Sequence, residues 1–159
     1  MAGLPLRDRA GNVLLAVRQV TESDLTRLAT AIPVSASLVV AVHAGAVLMM
    51  FDRRRRQWEL PGGMREAGES SRRAAARELA EETGIHGVEL TFAVVAEFAL
   101  TRPARRELLA VYRTDLPAAP WLSLSEEGLG FRWWSPGEAV GPDTSPLDAE
   151  IAARVLAAA

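Results

Sequence analysis

The sequence predicts a single α+β domain with a mixed β-sheet, and three observations lead to this class. Apolar stretches typical of β-strands are more numerous than segments with helical spacing. The strands and helices do not alternate regularly, which disfavours a repeated βαβ arrangement. A length of 159 residues is that of one ordinary domain, and an apolar fraction of 49% with a charged fraction of 24% is typical of soluble globular proteins.

The N-terminal part predicts a hairpin followed by a short helix. Strands at 4–6 and 13–17 flank a turn at 8–12, which contains the turn-forming residues of the segment. Thr21 and Asp24 have the spacing of a capping box ahead of apolar residues. We therefore expect a short helix to follow the hairpin.

The next part predicts a second hairpin and a short strand. Residues 37–43 and 46–51 are apolar and rich in β-branched residues, with Ala44 and Gly45 between them, so the hairpin should be buried on both faces. A charged loop begins at Arg53. Residues 58–60 predict a short strand that leads into a turn at Pro61, Gly62 and Gly63.

Two helices and three strands are predicted in the remainder. Ser70 is a good N-cap for a helix that reaches Glu82, and Gly84 is placed to end that helix in a left-handed C-cap. Ser145 and Pro146 predict the start of the last helix. Strands are expected at 88–100, 107–114 and 130–134.

Composition excludes several classes of site. The chain has no cysteine, so it lacks disulfides, thiolate zinc sites and cysteine nucleophiles. His43 and His86 have no neighbouring histidine, so oxygen ligands are the expected metal donors, and neither histidine is predicted to be catalytic. A net charge of -2 gives no general attraction to nucleic acid polymers. No apolar run is long enough for a transmembrane helix, and we expect a cytoplasmic protein.

Three glutamates of the central helix are the most informative cluster. Glu78, Glu81 and Glu82 lie three and four residues apart and project from one helix face. Like charges so placed destabilise an isolated helix, but they suit Mg2+, which combines a few carboxylates with water and substrate phosphate oxygens. Ala75, Ala76 and Leu79 should pack the opposite face against a sheet. For three glutamates alone, a solvated surface is the more common situation.

The surrounding residues favour the metal site. Glu69 follows Gly63 at the required spacing, and the run from Arg77 to Ile85 completes a motif in which every specified position is matched. The segment Gly63 to Ile85 resembles the box of the Nudix hydrolases. Residues 58–63 and 131–136 resemble the strands that flank the box in this family. The resemblance implies an α/β/α sandwich with a mixed sheet, residues 1–36 outside the common core, and Mg2+-dependent cleavage of a diphosphate linkage, with Mn2+ as an alternative metal.

The resemblance also implies roles for individual residues. Metal binding and catalysis fall to Glu78, Glu81 and Glu82, with the carbonyl of Gly63 as a backbone ligand and Arg77 as the residue that orients the glutamates. Glu69 belongs to the same charge network and is a candidate for the substrate-binding side of the loop. An acidic residue outside the box often adds a ligand or the base in this family. Here the candidates are Glu127, our choice for a metal ligand, and Glu126.

Arginine and tryptophan residues beside the box are candidates for substrate binding. Arg53 and Arg56 could reach substrate phosphates or a second subunit, although a run of charges is more often a solvated turn. Trp58 could stack on a base, although a strand tryptophan more often packs in the core. Trp133 and Trp134 should point to opposite faces of their strand, so at most one lines a cleft.

The substrate is expected to be a small nucleotide. A (deoxy)nucleoside triphosphate, including an oxidised one, is slightly favoured over ADP-ribose or a nucleoside diphosphate sugar. A non-catalytic nucleotide sensor with the same fold is a remote alternative because the box is intact. An isopentenyl diphosphate isomerase is disfavoured because that enzyme uses a cysteine. The N-terminal hairpin and helix are expected to support a homodimer or to cover the cleft.

Overall fold

The computed structural model describes residues 1–158. Within this range the chain forms one mixed sheet and three helices. The strands are β1 (Leu6–Arg7), β2 (Val13–Arg18), β3 (Val34–His43), β4 (Ala46–Asp52), β5 (Gln57–Glu59), β6 (Gly62–Met64), β7 (Thr91–Leu100), β8 (Arg105–Asp115) and β9 (Gly128–Trp134). The helices are α1 (Asp24–Leu28), α2 (Ser71–Thr83) and α3 (Pro146–Ala157). No helix in residues 1–158 combines the length and the apolar character needed to cross a membrane.

The sheet is mixed, as the sequence predicts. Its strands are ordered β1-β2-β7-β8-β3-β4-β5, with β6 paired to β3 and β9 paired to β4. Strands β3 and β8 run parallel, and the other pairings between strands are antiparallel. The connection from β3 to β8 passes through the central helix, so the parallel pair fixes α2 against the sheet.

A helix covers each face of this sheet. Leu147, Ile151 and Val155 of α3 are buried in one core cluster, and Ala75 and Leu79 of α2 are buried in the other. Each helix buries an apolar stripe against alternating residues of the strands. The predicted α/β/α sandwich is confirmed.

Local sequence signals set the ends of the two long helices as predicted. The Ser70 hydroxyl accepts a hydrogen bond from the N–H of Arg73 at 3.1 Å, and Gly84 ends α2 in the left-handed conformation with a φ of 82°. The Ser145 hydroxyl accepts from the N–H of Asp148 at 3.2 Å, next to a proline at the first turn of α3. Both caps satisfy backbone groups that a helix end leaves free.

Three details differ from the prediction. Gly62 and Gly63, expected in a turn, belong to β6, because Gly62 has no side chain and its backbone lies directly against the Ser37 carbonyl of β3. Ala76, expected to pack against the sheet, is exposed, because Ala74, Ala75 and Leu79 form the buried stripe of α2. In the predicted capping box of α1, Oδ2 of Asp24 accepts the N–H of Thr21, but no side chain caps the start of the helix.

The N-terminal hairpin forms one edge of the sheet. Strand β2 pairs with β7, so the hairpin lies at one edge of the sheet. The guanidinium of Arg9, in the hairpin turn, donates to the carbonyls of Arg55 and Arg56, the latter at 2.9 Å. The hairpin turn therefore bridges to the loop that follows β4.

Candidate active site

Strand β6 places the glutamates of α2 against a glycine backbone. The N–H of Gly62 donates to Oε1 of Glu82 at 2.7 Å. A Cβ atom added at Gly63 would lie 2.6 Å from Oε1 of Glu78, so a larger residue at this position would displace the carboxylate. The two buried or half-buried glutamates of the box are thus in contact with both glycines that precede the loop.

Arg77 connects the loop of the box to its helix. Its guanidinium binds both carboxylate oxygens of Glu69, at 2.8 and 2.9 Å, and also donates to Glu78 at 3.0 Å and to Glu81 at 3.2 Å. A further N–H donates to the carbonyl of Met64 at 3.0 Å. Because a guanidinium is planar and rigid, this arrangement fixes the orientation of two box glutamates relative to the loop.

The box carboxylates have opposite electrostatic environments. Hydrogen bonds from Arg77 and from the backbone N–H of Glu66 lower the pKa of Glu69 to about 2. Burial raises the pKa of Glu82 to about 8, and the charges of Glu78 and Glu127 add to this increase, although the N–H of Gly62 opposes it. Burial also raises the pKa of Glu78. Hydrogen-bond donors and positive charge therefore stabilise the ionised form of Glu69 in the loop. They stabilise the ionised forms of Glu78 and Glu82 on the helix much less.

The helix face fits a hard divalent cation. Its donors are carboxylate oxygens, and a cation would relieve both their burial and their mutual repulsion. Glu81 is turned toward Arg77 and its side chain is 59% exposed. In the described part of the chain no three acidic or histidine side chains converge into a complete metal cluster. Mg2+ in proteins also takes water and substrate phosphate oxygens as ligands, so the protein need not supply the full set.

Glu127 lies close to this face. It precedes β9 in a turn that Arg53 fastens, through its N–H to the carbonyl of Glu127 at 2.8 Å and its Nε to the carbonyl of Glu126 at 2.9 Å. The charge of Glu127 raises the pKa of both Glu78 and Glu82. Its role as a metal ligand remains a prediction.

A cleft of about 300 Å3 lies beside the Gly62–Gly63 backbone. Apolar residues, most of them from the core on the side of α3, form much of its wall, and polar or charged side chains complete it. The apolar residues are Ala36, Leu38, Leu60, Met64, Phe98, Leu100, Leu109 and Leu147. The polar residues are Asp8, Asn12, Arg55, Gln57, Glu59, Arg105, Glu107, Ser145 and Asp148.

The predicted substrate residues outside the box do not line this cleft and make other contacts. The guanidinium of Arg56 lies over the ring of Phe51 at 5.3 Å, and Trp58 packs edge-on against the same ring at 5.2 Å. Arg53 holds the turn that carries Glu127. The substrate-binding roles of Arg53, Arg56 and Trp58 remain predictions, and Arg55 is the arginine of this run that lies on the cleft wall.

Sequence reasoning did not find Arg55, Glu59 and Asp148 as members of one site. Arg55 binds Glu59 through two N–H groups at 2.7 and 2.8 Å, and Asp148 accepts the N–H of Leu60 at 2.8 Å. Asp148 comes from the first turn of α3, far along the chain from the other two. No local motif marks this group, because only the packing of α3 on the sheet brings it together.

The remaining residues considered in the sequence make structural contacts. They are His43, His86, Trp133 and Trp134. His43 pairs through Nδ1 with the carbonyl of Leu116 at 3.0 Å, and His86 does so with Gly84 at 3.0 Å. Trp134 is buried in the core on the side of α3, whereas Trp133 packs on the side of α2. The two tryptophans therefore point to opposite faces, as predicted.

Comparison with known proteins decides the family. The NUDIX domain matches residues 31–158, which include the box, its flanking strands and α3. The chain belongs to the Nudix family. The Nudix domain and its intact box make this chain a hydrolase that acts on pyrophosphate bonds. A search of the curated proteins found no match.

Solved structures show the same Nudix fold. The dihydroneopterin triphosphate pyrophosphohydrolase of E. coli is 22% identical with a TM-score of 0.67, and the alignment covers 78% of this chain and 95% of that chain. A MutT NUDIX hydrolase from Burkholderia pseudomallei is 21% identical with a TM-score of 0.65, covering 76% and 95%. A pyrophosphohydrolase from Bacillus subtilis is 18% identical with a TM-score of 0.70, covering 98% and 97%.

Proposed function

We propose that this Nudix hydrolase cleaves a (deoxy)nucleoside triphosphate with the help of Mg2+, or of Mn2+, and releases a nucleoside monophosphate and pyrophosphate. The observation that carries the proposal is the position of β6. Gly62 and Gly63 contact the carboxylates of Glu82 and Glu78 and also line the cleft. A triphosphate whose nucleoside occupies the cleft would therefore present its phosphates to the box helix.

The box residues have distinct parts in this reaction. Glu78, Glu81 and Glu82 would hold the metal, and the carbonyl of Gly63 and the carboxylate of Glu127 are candidate additional ligands. The bound cation would neutralise phosphate oxygens and lower the pKa of the attacking water. One carboxylate would accept the proton of that water, whose oxygen bonds to phosphorus while the oxygen bridge between the monophosphate and the pyrophosphate breaks. Arg77 keeps Glu78 and Glu81 oriented through the hydrogen bonds described above.

The size of the cleft supports a mononucleotide. Its volume of about 300 Å3 is at the lower end of small-molecule sites. The turn of the N-terminal hairpin, bound through Arg9 to the loop of Arg55 and Arg56, borders the same cleft with Asp8 and Asn12. We propose that the hairpin covers the cleft and limits the length of the substrate.

A hydrolysis screen tests the proposal. The panel contains nucleoside triphosphates, 8-oxo-dGTP, ADP-ribose, nucleotide sugars and dinucleoside polyphosphates, each with Mg2+, with Mn2+ and with EDTA. Glu82→Gln and Glu81→Gln serve as inactive variants, and Glu89→Gln, an exposed position after α2, is the matched control.

The expected result is metal-dependent release of monophosphate and pyrophosphate from a triphosphate, lost in both box variants and kept in the control. Preferential turnover of ADP-ribose or a nucleotide sugar would overturn the choice of substrate. Binding of nucleotides without turnover of any of them would favour a sensor.

A further inference from the structure

The rim of the cleft is bridged by one exposed side chain, that of Arg9. Asp8 in the hairpin turn and Arg55 in the loop after β4 both line the cleft. Arg9 donates from Nη2 to the carbonyl of Arg55 and to that of Arg56, the latter at 2.9 Å. The Arg9 side chain therefore joins two segments of the cleft wall that are far apart in the sequence. Arg9 also lies outside residues 31–158, which match the NUDIX domain.

The hairpin turn keeps its shape without this bridge. The carboxylate of Asp8 accepts the N–H groups of Ala10 and Asn12, both at 2.9 Å, and also Nδ2 of Asn12 at 3.1 Å. The side-chain oxygen of Asn12 in turn accepts the N–H of Thr101 at 3.1 Å. These bonds hold the turn against the connection between β7 and β8, so its position does not depend on Arg9.

The loop on the other side of the cleft is also held by its own contacts. Oδ1 of the buried Asp52 accepts the N–H groups of Arg54 and Arg55 at 2.9 and 2.7 Å. The N–H of Arg56 donates to the Asp52 carbonyl at 2.8 Å, and the guanidinium of Arg55 binds Glu59. The two segments are thus held independently, and the Arg9 side chain can move away without releasing either of them.

The bridge made by Arg9 is easily broken. Its acceptors are two neutral carbonyls, and Arg9 makes no ion pair with a carboxylate in the described part of the chain. Exposed hydrogen bonds of this kind exchange with water at a small net free energy. A long exposed side chain changes rotamer within nanoseconds. Rotation of Arg9 would therefore open the rim of the cleft while both turns stay in place.

We propose that Arg9 is a specificity-determining residue that selects ligands by length. Its side chain moves aside when a nucleotide enters the cleft, and it bridges the rim again once a mononucleotide is inside. A ligand that extends past the rim keeps the bridge open and loses its contacts. The inference rests on the proposed function, because it takes this cleft as the nucleotide site. It assigns the length limit of the substrate to one side chain.

Access to the cleft can be measured without any nucleotide. The chain has no cysteine, so Leu109→Cys on the cleft wall introduces a single thiol. Its reaction with dithiodipyridine, an aromatic disulfide with rings the size of a pyrimidine, is timed alone and combined with Arg9→Ala or Arg7→Ala. Arg7 is the matched control, because it is exposed in the same hairpin and donates only to the Gly11 carbonyl at 3.3 Å. Ala76→Cys, exposed on α2, reports effects unrelated to the cleft.

We expect Arg9→Ala to speed the reaction of Leu109→Cys by about 5-fold or more, because a rim that is bridged most of the time admits the reagent only in its open fraction. Arg7→Ala should leave that rate unchanged, and neither change should affect Ala76→Cys. An equal rate with and without Arg9 would overturn the proposal, and so would an equal increase in Arg7→Ala. Leu100→Cys, also on the cleft wall, replaces Leu109→Cys if that variant does not fold.

Turnover tests the selection by length. The kcat/KM for a dinucleoside polyphosphate is divided by that for the nucleoside triphosphate with the same base. We expect Arg9→Ala to raise this ratio by about 5-fold, in line with the labelling rates, and Arg7→Ala to leave it unchanged. An unchanged ratio in Arg9→Ala would overturn the selection by length. If the wild type turned over no substrate, the proposed function would be refuted, whereas the labelling rates would still support or overturn the bridge by themselves.

Discussion

Two glutamates of the same motif, Glu69 and Glu82, differ in their place in the fold, in their charged neighbours and in their pKa. Glu69 lies in the loop, accepts two hydrogen bonds from Arg77, and has a pKa lowered to about 2. Glu82 lies on the helix, is buried next to other carboxylates, and has a pKa raised to about 8. The difference indicates that Glu69 stabilises the metal-free fold, whereas Glu82 is held at a cost that a bound cation would offset.

The largest expected effect is on catalysis by Glu82→Gln. The substitution keeps an oxygen for the N–H of Gly62 but removes a charge from the metal site. We expect kcat with Mg2+ to fall by about 10^2 to 10^4-fold, the range for loss of an acid-base group. Steady-state kinetics on the preferred substrate measures it. Activity within threefold of the wild type would show that Glu82 is dispensable and would contradict the different roles assigned to Glu69 and Glu82.

Arg77 should have the next largest effect, because it connects the loop to the helix. Arg77→Ala removes the hydrogen bonds to Glu69, Glu78 and Glu81 together. We expect a fall of about 10 to 100-fold in kcat or in Mg2+ affinity, which is typical when a partner of a metal ligand is lost. Mg2+ titrations of activity measure both. Arg73→Ala, an exposed arginine one turn earlier, is the control, and the same loss there would refute the assigned role.

The Glu82→Gln substitution should raise the stability of the metal-free protein, although it lowers activity. A raised pKa means that the folded state loses stability as pH rises from about 4.5 to 8, because the unfolded chain releases the proton first. Glu82→Gln lacks this loss. We expect its Tm in EDTA to exceed that of the wild type by several degrees at pH 8.5, with the gain shrinking toward pH 4.5. Thermal unfolding across this pH range measures how the difference in Tm between the variant and the wild type depends on pH. A lower Tm for the variant at pH 8.5 would contradict the prediction.

The smallest expected effect is on the stability of the Glu69→Gln variant, which should decrease. A lowered pKa gives stability that is present above about 4.5 and is lost as pH falls toward 2. Glu69→Gln should therefore lower Tm slightly at pH 7, and its curve should approach the wild type in acid. Glu66→Gln, whose carboxylate is mostly exposed and 3.7 Å from Arg77, is the control. A difference that persists unchanged at pH 2.5 would refute the charge-based account.

The sequence predicts those features that depend on local chemistry. The caps Ser70, Gly84 and Ser145 lie where the helices begin and end, since each acts within one turn of its own helix. The box predicts which glutamates share a face, because helical periodicity alone decides it. The family model and the solved structures confirm the fold that this resemblance implies.

Features that depend on distant contacts were not predicted. Gly62 reads as a turn residue in the sequence and becomes part of a strand only because β3 lies beside it. Asp148 reads as an ordinary first-turn acid of α3, and its place on the cleft wall follows from the packing of α3 across the sheet edge. The partners of Arg9 likewise lie in another segment of the chain. Local patterns contain no information about these distances.

The three residues of β6 lie between the box glutamates and the wall of the cleft. On one side of this strand the side chains of the box helix are tightly constrained by one another and by the glycine backbone. On the other side the wall of the cleft is made from several segments that lie far apart in the sequence. Changes of ligand preference can therefore accumulate on one side of a narrow strand while the hydrolytic side stays the same, and relatives with equal boxes are free to differ in what they bind.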